Sequence, residues 1–213
     1  MTGLYLITND DRFELLQQKL QIAAQTAPIQ MLQYRRKQIA IDEQPFEIEK
    51  LLKLCQQYKI DFIINDHLDY AQQFGCGLHL GQTDGSLPEA RAQLGGQAII
   101  GRTCHNSLDL AAVARQEGAS YLAFGAVYSS MTKPNVTSVS TVTLAQAKQQ
   151  FDLPICAIGG LTVENSQPLI SLKLDLLAVV GDILNLSCND IASRMQAWQN
   201  ILQGEVELSP NPI

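Results

Sequence analysis

Residues 61–94 read DFIINDHLDYAQQFGCGLHLGQTDGSLPEARAQL, and the two periods inside this stretch decide the fold. Residues 61–65 and 77–80 are short apolar runs without strict alternation, as expected of strands buried on both faces. Residues 68–74 and 88–94 are amphipathic at helical spacing, and the second is preceded by Ser86-Leu87-Pro88-Glu89, a helix start signal. Strand, helix, strand, helix in so short a span is the rhythm of a parallel sheet covered by helices.

The same alternation extends in both directions. Further strands are expected at 3–8, 30–34, 98–101, 121–125, 155–158 and 175–180. Helices are expected at 11–27, 45–58, 107–117, 144–151, 163–171 and 189–202. Eight such units close most naturally into an α/β (β/α)8 TIM barrel, with an open doubly wound sheet as the alternative. No linker or residue-level repeat interrupts the pattern, so residues 1–203 are expected to form one domain. Residues 204–213 carry two prolines and no apolar period, which predicts a flexible tail.

Bulk composition narrows the function. The 213 residues are 46% hydrophobic and 17% charged, a globular balance. A net charge of -6 argues against a nucleic-acid surface while leaving room for a local cation cluster that binds a small anion. The five cysteines, Cys55, Cys76, Cys104, Cys156 and Cys188, are scattered without a C-x-x-C pair, which fits a reducing cytoplasm better than a disulfide or zinc framework. Residues 4–8 enter a strand pattern at once, with no basic segment and long apolar run, so neither export nor a membrane partner is expected.

In a barrel of this kind, chemistry gathers at the C-terminal ends of the strands. Strand two ends in Gln33-Tyr34-Arg35-Arg36-Lys37, where alternation sends Gln33, Arg35 and Lys37 to one side and Tyr34 and Arg36 to the other. Strand three ends in Asn65-Asp66, and strand four leads to Asp84. Two carboxylates on neighbouring strand ends suit Mg2+, which takes one or two protein carboxylates plus phosphate oxygens; each alone also reads as a turn or cap residue. Residues 129–143 hold hydroxyls around Lys133, a phosphate cradle or an ordinary serine-rich loop. Gly159-Gly160 and Val180-Gly181 follow strands seven and eight, where glycines admit a phosphate to backbone N–H groups or simply make tight turns. His79 within an apolar strand reads as a core hydrogen-bonding residue, and Cys104 lacks a sign of an activated thiol.

These stretches, together with 77–84, 100–105, Ser130-Met131-Thr132-Lys133 and 157–160, occur in order on successive strands. From residue 4 to about 184 the chain resembles the thiamine phosphate synthase family. The resemblance implies condensation of a hydroxymethylpyrimidine diphosphate with a thiazole phosphate, giving thiamine monophosphate and pyrophosphate through a pyrimidine cation. It implies Mg2+ on Asp66 and Asp84, and Arg35, Lys37, Asn65 and Lys133 on the departing diphosphate. Gln33 and Thr103 would contact the pyrimidine. Ser130, Thr132, Gly160, Val180 and Gly181 would contact the thiazole phosphate, and Tyr34, Arg36 and Met131 lie within the same substrate-binding stretches. Arg35, Lys37, Thr103 and Lys133 are the residues expected to bear on catalysis. The chain departs from the family pattern at Arg36, at Ser130-Met131-Thr132, at Gly181 in place of a usual serine, and in a glycine-free stretch at 136–142.

A related thiazole tautomerase would share the barrel without managing a diphosphate, and a non-catalytic sensor of phosphate ligands would share it without turnover. The joint presence of Asp66, Asp84, Arg35, Lys37 and Lys133 favours the synthase. The expected partners are small molecules, with a homo-oligomer left open.

Overall fold

A computed structural model describes residues 2–128 and 138–204. In chain order the elements are β1 (Gly3–Ile7), α1 (Phe13–Thr26), β2 (Met31–Tyr34), α2 (Gln44–Tyr58), β3 (Asp61–Asn65), α3 (Leu68–Phe74), β4 (Gly77–Leu80) and α4 (Leu87–Leu94). They continue with β5 (Ile100–His105), α5 (Leu108–Gln116), β6 (Tyr121–Gly125), α6 (Thr141–Gln150), β7 (Ile155–Ile158), α7 (Gln167–Ser171), β8 (Leu176–Val179), α8 (Gly181–Leu184) and α9 (Cys188–Gln203). The strands form one closed parallel ring in sequence order, sealed where Gly3 to Leu6 of β1 pair with Leu176 to Val179 of β8. This is the (β/α)8 barrel, and the open sheet is excluded. The expected tail, apart from Gly204, lies outside the described residues.

Why the strands read as unbroken apolar runs is now physical. Side chains alternate across a strand, and in this ring both faces are covered. Tyr5, Ile7, Met31, Ile63, Tyr121, Ala123, Cys156, Leu176 and Ala178 fill the barrel interior. Leu4, Leu6, Leu32, Phe62, Ile64 and Leu122 face outward against the helices. Leu16 and Leu20 of α1 are almost fully buried in that outer layer, and each such side chain contributes about 2 kcal/mol on burial. Trp198 of α9 is fully buried there as well.

Local signals set the helix starts. Ser86, Ser107 and Ser140 accept, through Oγ, the backbone N–H of Glu89, Leu110 and Thr143 at 3.3, 3.2 and 3.0 Å, so each satisfies one orphan donor of its helix. The Ser140 cap starts α6 ahead of the expected residue 144, overriding the weak helix propensity of Thr-Val-Thr. Helix α7 is much shorter than 163–171, because residues 162–166 close their own turn, with Asn165 Oδ1 accepting from Thr162 N at 2.8 Å.

Strand five corrects the sequence expectation of 98–101. It runs from Ile100 to His105 and pairs with β6 along Arg102↔Leu122, Thr103↔Ala123 and His105↔Phe124, with an irregularity between Thr103 and His105. Polar residues beyond the expected strand end are thus ladder residues, and Thr103 is fixed by the sheet. Among the described residues no helix is long and apolar enough to cross a membrane.

Candidate active site

Eight parallel strands end at one rim, and a cavity of about 340 Å³ opens there. Its floor is Tyr5, Ile7, Ala123, Cys156, Ile158 and Ala178, and its polar lining includes Gln33, Arg35, Lys37, Asn65, Asp66, His79, Asp84 and Thr103. Seven candidate residues from four strands or their exits (Gln33, Arg35, Lys37, Asn65, Asp66, Asp84 and Thr103) therefore share one cavity. The alternation read from 33–37 holds: Gln33, Arg35 and Lys37 line the cavity and Tyr34 and Arg36 do not.

Tyr34 and Arg36 are committed elsewhere. Both are almost completely buried. Arg36 lies 2.7 Å from Glu47 of α2, and its Nη1 donates to the carbonyls of Asn9 and Asp11 at 2.9 and 2.7 Å. Tyr34 donates its hydroxyl to the same Glu47 at 2.8 Å. Neither lines this cavity, but both line an adjoining pocket that shares Arg35, Lys37, Asn65, Asp66 and Asp84 with it. They tie the β2 exit to α2 and to the loop after β1, and so hold Arg35 and Lys37 in place.

Asp66 follows β3 in the left-handed region, at φ 65°. Its Oδ2 accepts from Asn65 Nδ2 at 2.6 Å and lies 3.2 Å from Lys37 Nζ. Asp84 arrives from the turn after β4, where its carboxylate lies over Gly81: a Cβ on Gly81 would come within 2.1 Å of Asp84 Oδ2. Gly81 thus gives Asp84 its place. Among the described residues no group of three or more His, Cys, Asp or Glu comes together. Mg2+ asks for less than that, one or two carboxylates with phosphate and water oxygens completing the shell. Two softer donors in the lining are already committed: His79 has both ring nitrogens hydrogen-bonded, and burial holds the Cys156 thiol protonated well above its ordinary range. The carboxylate oxygens of Asp66 and Asp84 are hard donors of the kind that fits magnesium.

Beneath these charges runs a buried polar chain. Gln33 Nε2 donates to Tyr5 Oη at 2.7 Å, Tyr5 Oη meets Tyr121 Oη at 2.8 Å, Tyr121 Oη meets His79 Nδ1 at 2.8 Å, and His79 Nε2 meets Thr103 Oγ1 at 2.9 Å. Burial raises the pKa of both phenols well above 10. Burial also pushes His79 down to about 4, against the pull of Asp66. Gly101 makes this possible, since a Cβ there would stand 2.0 Å from the Tyr121 ring. The sequence did not single out Tyr5 and Tyr121; the one available signal was a phenol tip at an inward strand position, which needs a partner when buried. Cys104, in contrast, is fully buried in the outer layer with its thiol raised to about 12.

Other candidates lie on the same rim outside this lining. Gly159 and Gly160 follow β7 with φ of 110° and 62°, and a Cβ on Gly160 would crowd Tyr128 O at 3.0 Å, so glycine is required. Val180 and Gly181 join β8 to the short α8. Ser130, Met131, Thr132 and Lys133 lie outside the described residues.

Residues 4–183 match the family model for thiamine monophosphate synthase. Among solved structures, the chain is similar to thiamine phosphate pyrophosphorylase from Pyrococcus furiosus at 23% identity, covering 95% of this chain and 96% of that one with a TM-score of 0.81. It is also similar to thiamine phosphate pyrophosphorylase from Bacteroides thetaiotaomicron, at 14% identity, 97% and 100% coverage and a TM-score of 0.72. A 3-hexulose-6-phosphate synthase from Salmonella typhimurium matches at 14% identity, 96% and 100% coverage and a TM-score of 0.71. At these identities the structural likenesses speak for the barrel alone.

Proposed function

The chain belongs to the thiamine monophosphate synthase family, and from that premise we propose that it joins 4-amino-2-methyl-5-hydroxymethylpyrimidine diphosphate to 4-methyl-5-(2-phosphoethyl)thiazole, forming thiamine monophosphate and pyrophosphate. The observation that carries this reading is the convergence of Arg35, Lys37, Asn65, Asp66 and Asp84 on the same cavity as Gln33 and Thr103. One end of that cavity suits a polyanion and the other a polar ring.

The chemistry follows from the charges. Breaking the bond between the pyrimidine methylene carbon and the diphosphate oxygen leaves a cation on the ring side and negative charge on the leaving group. Arg35 and Lys37 stabilise the departing oxygens, and the Asn65 amide adds a neutral donor. Asp66 and Asp84 would hold Mg2+, which when bound neutralises diphosphate charge. Preorganised charges of this kind need no reorientation as the bond breaks. The thiazole nitrogen then donates its electron pair to the methylene carbon, with no protein nucleophile or base required. Gly160, Val180 and Gly181 would receive the thiazole phosphate at the β7 and β8 exits, where backbone N–H groups are accessible.

The test is to incubate the purified protein with Mg2+ and both substrates, then measure thiamine monophosphate and pyrophosphate in equal amounts. Chelation with EDTA should abolish both. Isomerisation of the thiazole without pyrophosphate release, or binding of either phosphate without turnover, would replace this reading.

A further inference from the structure

The buried chain from Gln33 to Thr103 spans five strands and has one proton for each link. Tyr5, Tyr121 and a neutral imidazole each carry a single hydrogen-bonding hydrogen. When Gln33 donates to Tyr5, the Tyr5 hydroxyl is free to donate only onward to Tyr121. Tyr121 then donates to His79 Nδ1, which fixes the hydrogen of the ring on Nε2, where it meets Thr103 Oγ1. Thr103 accepts and keeps its own hydrogen for the cavity. Reversing any one link reverses all four.

We propose that Tyr5, Tyr121 and His79 are positioning residues that couple the polarity of Gln33 to that of Thr103, so that the cavity offers an acceptor at the Gln33 amide oxygen and a donor at the Thr103 hydroxyl together. Among the described residues no donor reaches Gln33 Oε1, which leaves it available to the cavity that Gln33 lines. This pairing fits a heterocycle that presents an exocyclic amino group beside a ring nitrogen. It rejects the 4-oxo analogue, whose carbonyl faces an oxygen and whose ring N–H faces a hydroxyl donor. The ligand chemistry rests on the proposed function; the coupling itself does not.

Two measurements separate the parts. The first uses the unliganded protein and 15N NMR of the histidine rings, with His79 assigned by comparison with His67→Gln and His105→Gln. The expected wild-type signature is the neutral Nε2–H tautomer. In Gln33→Glu, a carboxylate can only accept, so Tyr5 must donate to it and the whole chain turns round, placing a hydrogen on Nδ1 of His79. A wild-type Nδ1–H tautomer, or an unchanged His79 spectrum in a folded Gln33→Glu protein, overturns the coupling whatever the activity. The second compares 4-amino and 4-oxo pyrimidine diphosphates in wild type and Tyr121→Phe. With the link cut, the amide is free to turn and the preference in kcat/KM for the amino substrate falls by about tenfold or more, as expected for loss of a paired polar contact. An unchanged preference, with both substrates slowed equally, would make Tyr121 merely structural and end the proposal. If wild type turns over neither substrate, the proposed function fails while the tautomer result still decides the relay.

Discussion

The Lys37 ammonium stands 3.2 Å from Oδ2 of Asp66. An exposed cation and a half-buried carboxylate thus neutralise one another at the mouth of the cavity before any substrate arrives. A polyanion with its counterion can exchange that pairing for two others, Lys37 with phosphate oxygen and Asp66 with the metal, and the site remains balanced.

The balance is tested by removing charge without shape. Asp66 sits at φ 65°, where asparagine is tolerated and alanine is strained. Asp66→Asn should lower kcat by about 100-fold or more, the scale of losing one preorganised electrostatic contact, while the thermal midpoint moves by only a few degrees. Steady-state kinetics and calorimetry on the same preparation check both, and retained turnover would remove Asp66 from the metal site.

Gly81 provides a second, indirect handle. A methyl group there collides with the Asp84 carboxylate rather than with backbone, so the side chain can swing away at little cost. Gly81→Ala is expected to fold with stability within about 1 kcal/mol of wild type yet to need several-fold more Mg2+ for half-maximal rate. A Mg2+ titration of initial rates checks this, and an unchanged requirement would separate Asp84 from the metal.

Arg36 and Glu47 form a buried pair. Arg36→Met leaves Glu47 charged and desolvated, so chemical denaturation should register a loss of about 3–5 kcal/mol. Changing Glu47→Leu as well should return much of it, because the cost comes from the orphaned carboxylate. A double variant no more stable than the single one would contradict that origin.

The acid limb of stability has an identifiable contributor. The Arg194 guanidinium, hydrogen-bonded to Glu164 at 2.6 and 2.7 Å, holds the Glu164 carboxyl at about 2 rather than 4.5. A depressed folded pKa stabilises fully above the unfolded value and loses that contribution as pH falls toward the folded one. The stability difference between wild type and Glu164→Gln should therefore be largest above about pH 4.5 and shrink toward pH 2. Trp198 donates to Asp182, another partner of Arg194, and is the single tryptophan, so its fluorescence reports the transition.

Much of this was legible in the sequence because barrel strands are short, apolar and bounded by turn residues. The bounds of β3, β4, β6 and β7 follow directly from their runs. The polar end of β5 does not, since Arg102, Thr103 and His105 are kept in the ladder by β6 rather than by their own preference. The alternation of Gln33, Arg35 and Lys37 was visible, and so was the reading of His79 as a hydrogen-bonding core residue. What could not be read was Tyr5 meeting Tyr121, because residues so distant in the chain are joined only by ring closure. The same holds for Gly81 beneath Asp84, a contact made by the turn and invisible to composition.

The seam between β1 and β8 bears on how this chain can be cut. Each of those strands is hydrogen-bonded on both sides, so deleting either would strip the neighbours on its two flanks and expose raw peptide edges. A fragment of this kind would seek substitutes, and the nearest supply is the matching fragment of another molecule. Shortening from either terminus past the seam should therefore convert a closed ring into a strand-exchanging, aggregation-prone chain.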